Sequence, residues 1–245
     1  MGHLLGINIS ATKYVTLDLT HEKRVDTSLD RNPTTEMVGN LLIHYVFRRN
    51  HTGDPDRDGN PLAYALKGMN GYKIVPLYRN QCLNRARQVL EGFVTGLEAD
   101  YIMALPSSYP FANEFCDLVC DVSGVDKLDS SFLKKRTAGE MLAIYDGVFP
   151  ANLNSKLSKE YKNQLYDWKR LKPWQKVSLK EVDTRIRHCF NMWQLDEDAP
   201  NLQNTSILLV DDIMSSGTSI STAADVISQG AGAEISGAIC FLSGI

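Results

Sequence analysis

At 245 residues, with 43% hydrophobic and 22% charged side chains, the chain has the make-up of a soluble globule and the length of one domain, or a domain with a smaller appendage. A chain of this size hides roughly 70–75% of its unfolded surface, so it needs no covalent staples. The formal net charge of −3 gives no bulk attraction to nucleic acid or to an anionic membrane and leaves room only for local basic patches.

Met1–Ile9 is only briefly apolar and has no charged stretch before it, so it does not read as a signal peptide. No run approaches the roughly 18 apolar residues of a spanning helix, which implies no membrane. The cysteines, Cys82, Cys116, Cys120, Cys189 and Cys240, are odd in number and form no CxxC pair. They read as isolated reduced thiols of a cytoplasmic protein rather than as a structural zinc site. Cys116 and Cys120 are spaced as two residues on one helix face.

Residues 4–19 mix β-branched and polar residues and predict a strand or hairpin. Thr34–Arg49 follows Asn32–Pro33, carries Glu36 early and Arg48–Arg49 late, and on those signals is expected to be a helix. His51–Asn60 is dense in Gly, Pro, Asp and Asn and reads as a surface loop. Asp54, Asp56 and Asp58 with Gly59 imitate the start of a calcium loop, but position 65 is Ala where a bidentate Glu is required. Tyr101–Leu105 is a short apolar run that leads through Pro106–Ser107–Ser108 into a predicted helix ending near Cys120. Phe132–Lys134 predicts another strand, and 137–200 is long, polar and rich in Lys, Asn and Trp. Ser206–Val210 (SILLV) is an unbroken buried-strand run. A helix is expected over Ser219–Gln229, stopped by Gly230 and Gly232, and a last strand over Ile235–Leu242. Strands and helices alternating around continuous apolar runs argue for a parallel sheet covered on both faces.

The chemistry concentrates in Ile207–Ile220. A buried strand delivers Asp211 and Asp212 at its carboxyl end, where open α/β sheets place their ligands. Ser215, Ser216, Gly217, Thr218 and Ser219 then form a small hydroxyl-rich loop that runs straight into a helix. Its backbone N–H groups and the positive end of the helix suit a phosphate monoester, and Gly217 allows close backbone approach. The carboxylates could accept hydrogen bonds from sugar hydroxyls or hold Mg²⁺ through water. The plainer alternative is a capped helix after a buried strand, with Asp212 a turn residue; two adjacent buried acids are costly unless used.

This segment resembles the phosphoribosyl pyrophosphate signature of the type I phosphoribosyltransferases. The resemblance implies that Asp211 and Asp212 meet the ribose hydroxyls and Mg²⁺, and that Ser215–Ser219 wraps the 5-phosphate. It implies that Pro106, Ser107 and Ser108 form the pyrophosphate loop, although that stretch has neither glycine nor a basic residue. Lys135 and Arg136, after the strand near Phe132, would supply cations to the leaving group. The layout also resembles the ComF-like, amidophosphoribosyltransferase-like branch through Leu66–Lys67–Gly68, Leu133–Thr137, Arg187 and Phe190–Asn191, over roughly 63–245. The expected fold is therefore a type I phosphoribosyltransferase fold: a central parallel sheet flanked by helices, with an N-terminal accessory or hood region over 1–98, a core over 99–245, and an insertion at 137–200.

The predicted last strand leaves no room for a C-terminal hood, so the acceptor would be chosen by residues 1–98, by the insertion, or by a partner subunit, a homodimer included. In the insertion Tyr161, Tyr166, Trp168 and Trp174 are interleaved with Lys159, Lys162, Lys169, Arg170 and Lys172. That texture suits a lid over the sugar or a contact with single-stranded nucleic acid, and equally an amphipathic helix packed on the core. No helix-turn-helix is visible. The resemblance implies Mg²⁺-dependent transfer of phosphoribosyl to a nitrogen acceptor with release of pyrophosphate. The alternative is a non-catalytic regulator that binds phosphoribosyl pyrophosphate or a nucleotide, or a ComF-like accessory protein in DNA handling. A phosphoribosyl pyrophosphate synthase shares a similar loop but needs an ATP-binding half.

Overall fold

The computed structural model describes residues 6–18, 20–51, 61–214 and 216–244. It is a mixed α/β protein with this order: β1 (Gly6–Ile9), β2 (Tyr14–Asp18), β3 (Val25–Asp26), β4 (Thr34–Val38), β5 (Leu41–Arg49), α1 (Pro61–Lys67), β6 (Lys73–Ile74), α2 (Pro76–Glu91), β7 (Tyr101–Ala104), α3 (Phe111–Ser123), β8 (Leu133–Lys135), α4 (Ala138–Tyr145), α5 (Ser155–Lys169), β9 (Trp193–Leu195), β10 (Ser206–Ile213), α6 (Thr218–Ala231) and β11 (Glu234–Leu242). The central sheet runs β3–β5–β11–β10–β7, and β4 also pairs with β5. β5, β11, β10 and β7 are mutually parallel, while β3 and β4 run antiparallel along the outer edge of β5.

Successive strand residues face opposite sides of the sheet, and the two sides carry separate cores. Ile207, Leu209, Ala238 and Cys240 pack with α5, α6 and the β8–β9 ribbon. Leu208, Val210, Ile239 and Phe241 pack with α1, α2, α3 and the small β1–β2–β6 sheet. Because both faces are covered, the parallel strands read as unbroken apolar runs, which is why 206–210 and 235–242 were legible as strands. The hairpin expected within 4–19 is the antiparallel β1–β2 pair.

Thr34–Arg49 is not a helix. It is the β4–β5 hairpin, with Val38 opposite Leu41 across a two-residue turn that opens with Gly39 at φ 62°. A glycine of positive φ at the first turn position matches the twist of a hairpin. Leu41–Arg49 is rich in β-branched and aromatic residues, and its pairing between β4 and β11 outweighs the charges that imitate helix ends. The acidic stretch with Asp54, Asp56 and Asp58 lies outside the described residues. No helix among the described residues is long and apolar enough to cross a membrane. All five cysteines are free thiols, with Cys116 and Cys120 one turn apart on α3.

Candidate functional site

β7 ends beside Val210 of β10, where Leu105 N donates to Val210 O at 2.9 Å just past the last residue pair of their register, and β10 runs on to Ile213. That juxtaposition sets Pro106–Ser107 next to Asp211–Asp212 at the carboxyl edge of the sheet. The chain then turns through Gly217 at φ 72°, and α6 begins at Thr218 with no side chain capping its first N–H groups. A Cβ at position 217 would stand 2.7 Å from Val38 Cγ1, so glycine is required there twice over, by conformation and by the neighbouring hairpin. Ser216 Oγ and Thr218 Oγ1 lie 3.0 Å apart across the loop.

These elements enclose a cavity of about 340 Å³. The sheet edge and loop contribute Leu105, Pro106, Ser107, Asp211, Asp212, Ser216 and Ser219. The α1–β6 region contributes Tyr64, Lys67, Met69 and Asn70, and the 137–200 segment contributes Ser178, Lys180, Arg187, Met192 and Trp193, with Lys135 from β8. Four cations thus face two carboxylates, and the cavity is net positive. A wider open groove of about 630 Å³ lies at the ends of β5 and β11, lined by Arg48, Arg49, Glu36 and Tyr45 among others. It holds neither Asp211 nor Asp212, so the smaller cavity is the candidate site.

The two acids have different partners. Asp212 is buried, and its Oδ2 lies 2.5 Å from Lys67 Nζ, whose side chain is itself only 5% exposed. That contact is an ion pair without hydrogen-bond alignment, since Asp212 Oδ2 has no hydrogen-bond partner. Asp211 Oδ1 accepts from Asp212 N at 2.8 Å. Burial, and next the neighbouring Asp212 carboxylate, raise the Asp211 pKa to about 7 against the opposing pull of Lys67 and Lys180. On the facing wall, burial and then nearby Lys180 lower the Lys135 pKa. The Lys135 ammonium stands 5.5 Å from the centre of the Trp193 ring, and Trp193 Nε1 donates to Ser219 O at 2.8 Å. Arg187 Nε donates to Val182 O at 2.9 Å.

Of the residues singled out in the sequence, Asp211, Asp212, Ser216, Ser219, Pro106, Ser107 and Lys135 line this cavity. Gly217 and Thr218 shape the loop behind it. Arg136, expected beside Lys135 at a leaving group, is not brought there. The alternation that turns Lys135 inward turns its neighbour toward Gln194, whose Oε1 accepts from Arg136 Nη1 at 3.2 Å. Ser108 is absent from the lining, and Ser215 lies outside the described residues. Sequence reasoning did not place Lys67, Tyr64, Asn70, Lys180, Arg187 or Trp193 in a site. Lys67 and Arg187 stood in the motifs that carried the family resemblance, and that was the available signal.

No protein-family model and no curated protein matches the chain. Among solved structures the chain is similar to TT1426 from Thermus thermophilus, at 14% identity over 64% of this chain and 83% of that one, with a TM-score of 0.29. A likeness of that grade carries no argument about function. The functional reading rests on the cavity.

Proposed function

We propose that the protein binds phosphoribosyl pyrophosphate and, with Mg²⁺, transfers its phosphoribosyl group to a nitrogen acceptor on a type I phosphoribosyltransferase fold. The observation that carries this reading is the run from Asp211–Asp212 at the end of β10 into the Ser216–Ser219 turn that opens α6, with Asp211, Asp212, Ser216 and Ser219 lining one net-positive cavity. Loop hydroxyls and uncapped helix N–H groups suit the 5-phosphate. The acids, one sugar-length away, suit the ribose hydroxyls, and the cations suit the charge that grows on departing pyrophosphate.

Asp211 and Asp212 also fit Mg²⁺, which takes one or two carboxylates and keeps waters and substrate phosphates as its other ligands. Among the described residues no cluster of three acids, histidines or cysteines offers a cage of protein ligands alone. The metal would offset phosphate charge, and the chain's own part is to orient the sugar and stabilise the leaving group.

A second reading is a non-catalytic sensor of phosphoribosyl pyrophosphate or a nucleotide, or an accessory protein in DNA handling. It draws support from the Pro106–Ser107–Ser108 turn, which has neither glycine nor its own cation. Calorimetric titration of phosphoribosyl pyrophosphate with Mg²⁺, repeated in EDTA, tests both. Mg²⁺-dependent binding, lost in a folded Asp211→Asn/Asp212→Asn variant, is expected, and pyrophosphate release on adding nitrogen bases separates transferase from sensor. Absence of binding by the wild-type protein would overturn the site assignment.

A further inference from the structure

We propose that Lys67 is the cation of the pyrophosphate subsite, and that ligand binding moves its ammonium from Asp212 to the pyrophosphate. The inference rests on the function proposed above and deepens it. Lys67 ends α1, whose Leu62, Ala63, Ala65 and Leu66 are buried in the core under the sheet. That packing fixes the helix and delivers a lysine side chain, 5% exposed, into the cavity. A lysine so far from water needs all three ammonium protons matched. Its anionic partner is Asp212, at 2.5 Å and without hydrogen-bond alignment, and Asp212 Oδ2 has no hydrogen-bond partner. One carboxylate oxygen cannot take three ammonium protons, so the lysine has capacity left for an anionic ligand.

The position of the ammonium says which ligand. Lys67 Nζ stands 5.9 Å from the centre of the Tyr109 ring, and Tyr109 N donates to Ser107 Oγ at 3.3 Å. Lys67 therefore shares the cavity wall with Pro106 and Ser107, the stretch that has no cation of its own. A phosphoribosyl pyrophosphate seated with its sugar at Asp211 and its 5-phosphate at Ser216–Ser219 would direct its pyrophosphate toward that stretch. Exchange of partners is balanced in charge. Lys67 gives up one carboxylate for a phosphate anion, and the released Asp212 becomes free to accept from ribose hydroxyls or hydrated Mg²⁺. In the transfer step the C1–O bond breaks and its electron pair goes to the departing pyrophosphate oxygen, the charge Lys67 meets. The acceptor nitrogen's lone pair forms the new C1–N bond, and its proton passes to solvent.

Calorimetry with three probes separates the outcomes: inorganic pyrophosphate, phosphoribosyl pyrophosphate and ribose 5-phosphate, each with Mg²⁺. Lys67→Met should weaken the first two by about tenfold or more, as the loss of a charged hydrogen bond does, and change ribose 5-phosphate by less than about twofold. Lys67→Arg should recover most of the pyrophosphate affinity. If Lys67→Met does not fold, the neutral Lys67→Met/Asp212→Asn pair is compared with Asp212→Asn alone, with the same expectation. Undiminished pyrophosphate binding, or equal loss of all three ligands in a folded variant, overturns the role of Lys67 while leaving the site assignment standing. A wild-type protein that binds none of the three overturns both.

Discussion

Asp211 and Asp212 are neighbours in sequence, yet their surroundings give them different chemistry. Asp212 is neutralised by Lys67, whereas burial, reinforced by Asp212, holds Asp211 up at about pKa 7. In the unfolded chain an aspartate titrates near about 3.9. The folded protein therefore keeps a proton on Asp211 through a range where the unfolded chain has released it, and stability falls as pH rises from about 4 to 7. Denaturant unfolding between about pH 5 and pH 8 should show a decline of a few kcal/mol, and Asp211→Asn should flatten much of it. A variant with the wild-type slope would assign the titration to another group. The pair of acids was legible in the sequence because an apolar strand rarely ends in two charges without use for them. Lys67 entered the sequence reading only through the Leu66–Lys67–Gly68 resemblance, because one lysine beside a glycine says nothing by itself about a site. Only the packing of α1 against the sheet turns it inward.

Among the elements, the β4–β5 hairpin does most to set the shape of the phosphate loop. Val38 leaves no space for a side chain at position 217, Tyr45 Oη donates to Met214 Sδ at 2.7 Å, and Arg49 Nη2 donates to Met214 O at 2.8 Å. Three contacts from one hairpin thus bear on the residues that flank the turn. Gly217→Ala should cost about 1–2 kcal/mol for a left-handed alanine and about 1–3 kcal/mol more for the crowding against Val38. Adding Val38→Ala relieves the second cost and not the first. In a double-mutant cycle read by chemical denaturation, the pair should be less destabilised than the sum of the singles by about 1 kcal/mol. Strict additivity would mean that the loop yields without pressing on Val38. This hairpin is also where sequence reasoning failed most plainly. Asn32–Pro33 and Arg48–Arg49 imitate the ends of a helix, but the information lay in Gly39–Asn40 and in the β-branched and aromatic run that follows.

At the scale of the whole molecule, the two covered faces of the sheet explain why its strands were readable and its 137–200 segment was not. A strand buried on both sides announces itself by composition, whereas α5 mixes Lys with Tyr and Trp, and that mixture is compatible with a lid, a binding surface or a core helix. The structure sorts the α5 aromatics by helical position and leaves Trp174 in the turn beyond the helix. Tyr161 and Trp168 are buried, with Tyr161 stacked on Phe190 at 4.8 Å and 7° and Trp168 edge-on to it at 4.8 Å. Tyr166 and Trp174 remain 64% and 72% exposed. α5 therefore belongs to the same apolar cluster as α6 and β10, and the cavity wall carrying Lys180, Arg187 and Trp193 is joined to the sheet through it. Phe190, 1% exposed, also meets Tyr145 at 5.2 Å and stands at the centre of this cluster. Phe190→Ala should cost about 3–5 kcal/mol by the cavity it leaves, while Tyr166→Ala and Trp174→Ala should each stay within about 0.5 kcal/mol. The three variants compared by urea denaturation decide how the segment is built. If Phe190→Ala is as mild as the two surface changes, α5 is an appendage free to close over a ligand. If it is severe and they are not, the segment is a fixed wall, and selectivity for an acceptor lies in the side chains on that wall rather than in its movement.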